Sequence, residues 1–86
     1  MNAATEALAK AIAIELAPIR VNTVCPGFVD TEPSTPGRAQ HVKTLAPTLP
    51  MNRPGTASEV AAAYLYLFSN SYSTGAVVVV DGGAIC

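Results

Sequence analysis

The feature that most restricts the fold is an uninterrupted apolar run, Ala76 to Val80, whose last four residues are all valine. β-Branched side chains favour extended strands. A strand with one face in water would alternate apolar and polar residues, and this run does not alternate. It therefore predicts a strand that is covered on both faces, as in a parallel sheet. The turn residues Asp81-Gly82-Gly83 end it.

An alanine-rich stretch from Asn2 to Ala17 is the first predicted helix, and Pro18 ends it. One face carries large apolar side chains, those of Leu8, Ile12 and Leu16. A second face carries mostly small ones, those of Ala3, Ala7, Ala11 and Ile14. Since a helix with two apolar faces has two packing partners, we expect a sheet on one side and a neighbouring subunit on the other.

The middle of the chain predicts a strand followed by a long connection. The strand runs from Ile19 to Val24 and is closed by Pro26-Gly27. Residues 27–55 are too rich in proline for a long helix. The prolines are Pro33, Pro36, Pro47, Pro50 and Pro54. A connection of this length in a compact domain is usually a lid or binding loop, and a disordered linker is the alternative.

A second helix is predicted to begin at Thr56, because Thr56-Ala57-Ser58-Glu59 matches a capping box. Its apolar face would comprise Val60, Tyr64, Leu67 and Phe68, and it would end near Ser69-Asn70. The order is helix, strand, long loop, helix, strand, which contains a βαβ unit of an α/β fold. Two strands and two helices are too few for a doubly wound sheet. We therefore expect an incomplete domain that belongs to a larger domain or assembly.

Composition and charge exclude several classes of partner. Half of the 86 residues are hydrophobic and 13% are charged, so some apolar surface is expected to meet a partner. The five basic residues are scattered and the net charge is -1, which argues against nucleic acid and anionic membranes as partners. The polar run Ser69 to Gly75 interrupts the apolar stretch from Val60 onward, so no transmembrane span is predicted.

The residues that could bind metal or carry reactive groups are few. Cys25 and Cys86 form no CxxC pair and His41 is the single histidine, so no metal site is predicted. We expect both cysteines to be reduced thiols in a cytoplasmic protein. His41 lies in the long connection, where we expect it to be solvated.

Several segments carry a family resemblance when taken in order. They are Glu15-Leu16-Ala17-Pro18, then Ile19 to Thr31, then Arg53 to Ala61, and finally Ser73-Thr74-Gly75 before Val80-Asp81-Gly82-Gly83. Their order and spacing resemble the last third of short-chain dehydrogenases/reductases. The resemblance implies that residues 1–86 form a single partial domain, the C-terminal portion of a Rossmann-like doubly wound parallel sheet. It also implies that residues 32–52 correspond to the substrate loop.

The resemblance further implies an NAD or NADP site, with Pro26, Gly27, Val29 and Thr31 at its nicotinamide end. In the family, the main chain at the Val29 position pairs with the nicotinamide carboxamide, and the Thr31 hydroxyl adds a hydrogen bond. Pro26 and Gly27 would turn the chain so that it presents main-chain donors and acceptors. The alternative is that Pro26-Gly27 is only a strand-ending turn.

Catalysis in the resembled family uses a serine, a tyrosine and a lysine, and no catalytic residue can be assigned in this sequence. The family's spacing, counted back from Glu15, puts the lysine near Asn2 and the tyrosine before Met1. None of the tyrosines is followed by lysine at the fourth position; they are Tyr64, Tyr66 and Tyr72. The glycine-rich turn for the adenosine diphosphate half is also absent. We therefore expect weak or no cofactor binding by this chain alone.

Three functional hypotheses follow. The first is the C-terminal segment of an NAD(P)-dependent oxidoreductase, which acts on a small carbonyl or alcohol substrate and is inactive as an isolated chain. The second is a non-catalytic module that self-associates as a homo-oligomer, or binds a longer relative, through its N-terminal helix and C-terminal strand. The third is a truncated product without a selected function. The substrate, the choice between NAD and NADP, and the reaction direction are left open.

Overall fold

Two short parallel strands with helices around them form an α/β fold, seen in a computed structural model that describes residues 3–31 and 36–84. The elements are α1 (Ala3–Glu15), β1 (Thr23–Pro26), α2 (Arg38–Leu45), a 3₁₀ turn (Ala46–Thr48), α3 (Ala57–Ser69) and β2 (Val77–Val80). The predicted fold class is confirmed. The predicted helix start at Asn2 lies outside the described residues.

The predicted valine strand is β2, and it pairs with β1 in parallel. The register runs from Thr23 opposite Val77 to Pro26 opposite Val80. Helix α3 lies between the two strands in sequence and packs on both, which completes the expected βαβ unit. Val79 is nevertheless 50% exposed. The described residues therefore cover β2 only in part, whereas its sequence is that of a strand covered on both faces.

Strand β1 begins later than the sequence predicts, and two of the residues before it, Arg20 and Asn22, bind with their side chains. The Asn22 amide donates to the Ser73 carbonyl at 2.9 Å and accepts from the Ala76 N–H at 3.1 Å. Arg20 donates to the Leu67 carbonyl at 2.7 Å, as cationic side chains often do at helix C-termini. These contacts fasten the chain before β1 to the segment that joins α3 to β2. The Val21 carbonyl also accepts from the Gly75 N–H at 2.8 Å, and the paired strand residues start at Thr23.

The predicted capping box at the start of α3 is confirmed. The Thr56 hydroxyl accepts from the Glu59 N–H at 3.2 Å, and the Glu59 carboxylate accepts from the Thr56 N–H at 2.9 Å. Arg53 adds a contact that the capping motif does not contain. Its two terminal nitrogens donate to the two Glu59 carboxylate oxygens, each at 2.8 Å. Hydrogen bonds from Arg53 and then from Thr56 lower the pKa of Glu59 to about 2.

The buried face of α3 is narrower than its apolar pattern predicts. Leu67 is buried as expected, and Ala63, four residues earlier, is buried beside it. Tyr64 and Phe68 were predicted on the same face but are 44% and 71% exposed. A two-stranded sheet is only wide enough to cover one narrow stripe of the helix. The two aromatic rings lie outside that stripe and pack against each other.

The long connection contains a helix that the sequence does not predict. Helix α2 fits between Pro36 and Pro47, so the prolines flank it and do not interrupt it. Pro47 lies in the first turn of the following 3₁₀ segment, where a missing N–H is tolerated. The proline content therefore excluded a long helix but left room for one of eight residues.

Helix α1 exposes both of the apolar faces predicted for it. Ala13 is its one buried residue among those described, while Leu8 is 60% and Ile14 is 81% exposed. The chain has 5825 Å² of accessible surface. A compact monomer of its mass would have about 4,800 Å². The excess agrees with the expectation that these elements are too few to enclose a core.

The state of Cys25 differs from the expectation. Cys25 has no accessible surface and is disulfide-bonded, so the prediction of a reduced thiol is wrong for this residue. Cys86 lies outside the described residues. Within the ranges 3–31 and 36–84, no helix combines the length and the apolar character needed to cross a membrane.

We predict that Glu59→Gln removes a pH-dependent part of the stability. The pKa of Glu59 in the folded chain, about 2, is below its ordinary value of 4.5, so the carboxylate stabilises the fold above about pH 4.5. This contribution is lost as the pH falls towards 2. Gln keeps an acceptor for the Thr56 N–H. Urea unfolding of both chains across this range should therefore give curves that differ near neutral pH and converge in acid.

Arg53→Gln provides the matched control, because it removes the cation and leaves the carboxylate in place. It should reduce the same pH dependence, since Arg53 is the largest cause of the lowered Glu59 pKa, while the hydrogen bonds from Thr56 remain. A constant difference between wild type and Glu59→Gln at every pH would contradict the assignment.

Candidate functional site

The sequence-predicted site residues lie at and just beyond the carboxyl end of β1, beside the carboxyl end of β2. Pro26 is the last residue of β1 and pairs with Val80. Gly27 follows and donates its N–H to the Val80 carbonyl at 2.9 Å. In open α/β sheets this end of the strands is where ligands bind.

Gly27 is required for a close approach between the chains that leave the two strands. A Cβ built on Gly27 would lie 2.7 Å from both the Cα and the Cβ of Asp81, a separation that real Cβ atoms do not show. The sequence predicts that Gly27 serves a tight turn. Its φ lies outside the left-handed region, so the structural reason is space and not conformational freedom. The missing side chain lets Pro26-Gly27 and Asp81 run side by side.

Val29 is held in a parallel bridge with Gly55. The Asp30 N–H donates to the Gly55 carbonyl at 3.0 Å, and the Gly55 N–H donates to the Phe28 carbonyl at 2.9 Å. In such a bridge the N–H and carbonyl of the central residue point to the opposite edge. The Val29 carbonyl accepts from Arg38 at 2.9 Å. Its N–H has no hydrogen-bond partner among the residues that the structure describes.

Thr31 lies farther along the same segment and is exposed. Its hydroxyl makes no hydrogen bond within the described part of the chain. Contacts with neighbouring residues thus fix the segment at Pro26, Gly27 and Val29. Thr31 lies at the outer end of this segment. Residues 32–35, which begin the predicted substrate loop, lie outside the described residues.

A cluster around Arg38 is the part of this region that the sequence does not predict. The Arg38 Nε donates to Asp30 Oδ1 at 2.7 Å, and the guanidinium carbon lies 5.3 Å from the centre of the Phe28 ring. The His41 ring meets the Phe28 ring edge to face, with 5.4 Å between centres. His41 was expected to be solvated, and it is exposed but packs here through one edge. Opposite charges at positions 30 and 38 are the only sequence signal for this cluster, and such pairs are common.

An open depression of about 380 Å³ lies beside the site residues, on the β2 side. The turn after β2 forms one wall of the depression. The Met51 N–H holds this turn by donating to the Gly82 carbonyl at 3.1 Å. Gly83, with φ of 92°, lets this turn meet Pro50 without a side chain between them. Of residues 27–31, which follow β1, only Phe28 lines the depression. None of Pro26, Gly27, Val29 or Thr31 does so.

The residues present fit the amide end of a nicotinamide. A carboxamide needs one acceptor and one donor, and a main-chain carbonyl and N–H at the same residue supply both. Val29 has an N–H without a described partner and a carbonyl oxygen with a second lone pair beside its bond to Arg38.

Among the described residues there is no group of three or more His, Cys, Asp or Glu side chains that could hold a metal ion.

We predict that Gly27→Ala destabilises the fold by about 1–3 kcal/mol, the usual cost of forcing a methyl group into a packed position. The new Cβ would push β1 and the segment after β2 apart at Asp81. Gly55→Ala is the matched control, because a Cβ there would meet its nearest neighbours at 3.7 and 3.8 Å, in ordinary contact. Urea unfolding should separate the two variants. Equal stability of Gly27→Ala and wild type would contradict the close approach.

Comparison with known proteins finds sequence relatives that are named as reductases. A family model described as enoyl-(acyl carrier protein) reductase matches residues 1–84. Sorbose reductase sou1 of Schizosaccharomyces pombe is 43% identical over 85 residues, which are 95% of this chain and 33% of that protein. The human 3-oxoacyl-(acyl-carrier-protein) reductase is 43% identical over 79 residues, which are 92% of this chain and 31% of that protein. The chain thus spans about a third of the length of these curated relatives.

Solved structures agree with the sequence matches. A small-chain dehydrogenase in complex with NADPH superposes with a TM-score of 0.82 at 46% identity, covering 96% of this chain and 40% of that one. A short-chain type dehydrogenase/reductase from Mycobacterium marinum gives a TM-score of 0.77 at 44% identity, covering 98% of this chain and 34% of that one. With the family model matched over residues 1–84 and a fold shared with these enzymes, the chain belongs to the short-chain dehydrogenase/reductase family.

Proposed function

We propose that this chain is the nicotinamide-side, C-terminal segment of an NAD(P)-dependent oxidoreductase that interconverts a carbonyl and an alcohol. The observation that carries the proposal is the segment after β1, in which Gly55 fixes the main chain around Val29 and leaves the Val29 N–H without a described partner. The reductase names of two relatives and the NADPH complex support the reaction class. Those two names refer to different substrates, so the proposal stops at a small carbonyl or alcohol.

The roles of the site residues follow from their positions. Pro26 and Gly27 would keep the ends of β1 and β2 close together, which provides a rigid edge for the ligand. Val29 would hold the carboxamide through its N–H and carbonyl, and the Thr31 hydroxyl would add one hydrogen bond. When bound, NAD(P)H supplies the hydride that reduces the carbonyl carbon. In this proposal the chain orients the nicotinamide ring, and no proton donor is assigned among the residues that the structure describes.

We further propose that the chain by itself does not turn over. Tyr64 lines a depression together with Arg20 and Asn22, before β1. The Tyr66 hydroxyl accepts from the Asn70 amide just after α3, and Tyr72 lies two residues farther on. Arg20 and Asn22, which precede β1, bind carbonyls at the end of α3 and in the segment that contains Tyr72. None of these tyrosines therefore lies near the proposed nicotinamide end.

A cytoplasmic location stays a prediction from the sequence, and the Cys25 disulfide is atypical of that compartment.

The experiment is a titration of the purified chain with nicotinamide mononucleotide, followed in amide proton–nitrogen correlation spectra. We expect weak binding with shifts concentrated at Val29 and Thr31 and small at Tyr66 and Tyr72. ADP-ribose, which lacks the nicotinamide, is the control and should leave Val29 unchanged. Mixed with NADPH and a panel of small carbonyl compounds, the chain should consume no NADPH. Shifts centred away from residues 26–31, or measurable turnover, would refute the corresponding part of the proposal.

A second candidate function, self-association as a homo-oligomer, is favoured by the exposed apolar surface. The chain exposes roughly 1,000 Å² more than a compact monomer of its mass, and one partner of a standard interface buries about 800 Å². Both faces of α1 and one face of β2 contribute, through side chains such as Leu8, Ile14 and Val79. In this proposal α1 of one copy packs on α1 of another, or on a longer relative.

For this second candidate we predict an association that depends on chain concentration in light scattering. Ile14→Gln should weaken it by at least about tenfold, since burying an isoleucine side chain contributes about 1.5–3 kcal/mol. Glu15→Gln, a change at the next and also exposed position, is the control and should have little effect. A folded monomer at all concentrations would rule out the association.

A further inference from the structure

One side chain, Arg38, contacts three consecutive residues of the segment after β1. Its Nε donates to the Asp30 carboxylate at 2.7 Å, and its Nη2 donates to the Val29 carbonyl at 2.9 Å. Its guanidinium lies over the Phe28 ring. We infer that Arg38 is a positioning residue for the nicotinamide end, because it fixes the Val29 main chain in the orientation that receives a carboxamide. This inference rests on the proposed function.

The two peptide units that flank Val29 show how the fixing works. The unit before Val29 is held by Gly55, whose N–H donates to the Phe28 carbonyl. The unit after Val29 is held from both edges, by the Gly55 carbonyl at the Asp30 N–H and by Arg38 at the Val29 carbonyl. With Arg38 removed, this second unit would keep only one of its two restraints. The Val29 N–H and carbonyl would then no longer be fixed relative to each other.

The chemistry of the guanidinium suits this task. It is planar and presents its N–H donors in a fixed fork, so one rigid group can bind a carboxylate and a carbonyl together. The Asp30 carboxylate offsets its charge, and both side chains are shielded, with 23% and 22% exposed. A carbonyl oxygen has two lone pairs, so the bond from Arg38 leaves one for a ligand amide. A lysine could reach one acceptor but could not present the same fork.

The test compares Arg38→Gln with Lys43→Gln in the titration with nicotinamide mononucleotide. Both changes remove one positive charge from α2, but Lys43 is exposed and has no described contact with residues 28–30. We expect Arg38→Gln to weaken binding about threefold to tenfold, which corresponds to the net value of about one hydrogen bond. Lys43→Gln should bind as wild type does. Arg38→Lys should lie between wild type and Arg38→Gln.

Two further measurements distinguish the positioning role of Arg38 from a purely structural one, which would leave both unchanged. In wild type, the Arg38 Nε–H resonance should shift when nicotinamide mononucleotide binds, although the ligand does not contact Nε. In Arg38→Gln, the ligand-induced shift at Val29 should shrink more than that at Thr31, while the Gly55 amide of the ligand-free chain stays in place. If Arg38→Gln fails to fold, Asp30→Asn removes the charge that anchors the guanidinium and should also weaken binding.

The other outcomes of the titration would contradict either the positioning role of Arg38 or the proposed cofactor site. Equal binding by wild type and Arg38→Gln, or by wild type and Asp30→Asn, would overturn the positioning role and leave the proposed function intact. Tighter binding by Arg38→Gln would also overturn it, because Arg38 would then compete with the carboxamide for the Val29 carbonyl. No response at Val29 in wild type would overturn the proposed cofactor site, and this inference would fail with it.

Discussion

The parallel pairing of β1 with β2 is the interaction on which the rest of the structure depends. It places the carboxyl ends of both strands together, and Gly27 extends the contact beyond the last ladder pair because it has no side chain to separate the chains. The segment that contains Val29 leaves the sheet from this point and binds Gly55 on the far side. A shift of one residue in the register would move both Gly27 and the turn at Asp81 and would separate these groups.

Features that depend on neighbouring residues could be predicted from the sequence. The valine run identified β2, and Thr56 with Glu59 identified the start of α3, because both signals are local. Contacts between distant positions could not be predicted. Arg20 and Asn22 bind carbonyls about fifty positions away, and no spacing rule connects them to those partners. Helix α2 was missed because proline content limits helix length without showing where a short helix fits.

The candidate site also contains residues that could be predicted from the sequence and residues that could not. The resemblance pointed to Val29 and Thr31, and the structure adds the physical context of each: a bridge and an arginine around Val29, and exposure for Thr31. The contacts of Arg38 with residues 28–30 could not be predicted from the sequence, because they depend on how the connection between β1 and α3 folds and not on a motif. The apolar face predicted for α3 was too wide for a similar reason. A periodic pattern reports which side chains favour burial, and a two-stranded sheet covers only some of them.

Asn22 and Ala76, which are hydrogen-bonded at the entrance to the sheet, are 54 positions apart. Closing so large a loop has an entropic cost before any strand pair can compensate for it, and contacts of this range slow folding. Helix α3 lies inside that loop and its capping box forms from residues three positions apart. Helix α3 occupies thirteen positions of that loop, so its formation shortens the flexible part that must be closed. Arg20 and Asn22 then join the end of this helix and the segment after it to the entrance of the sheet.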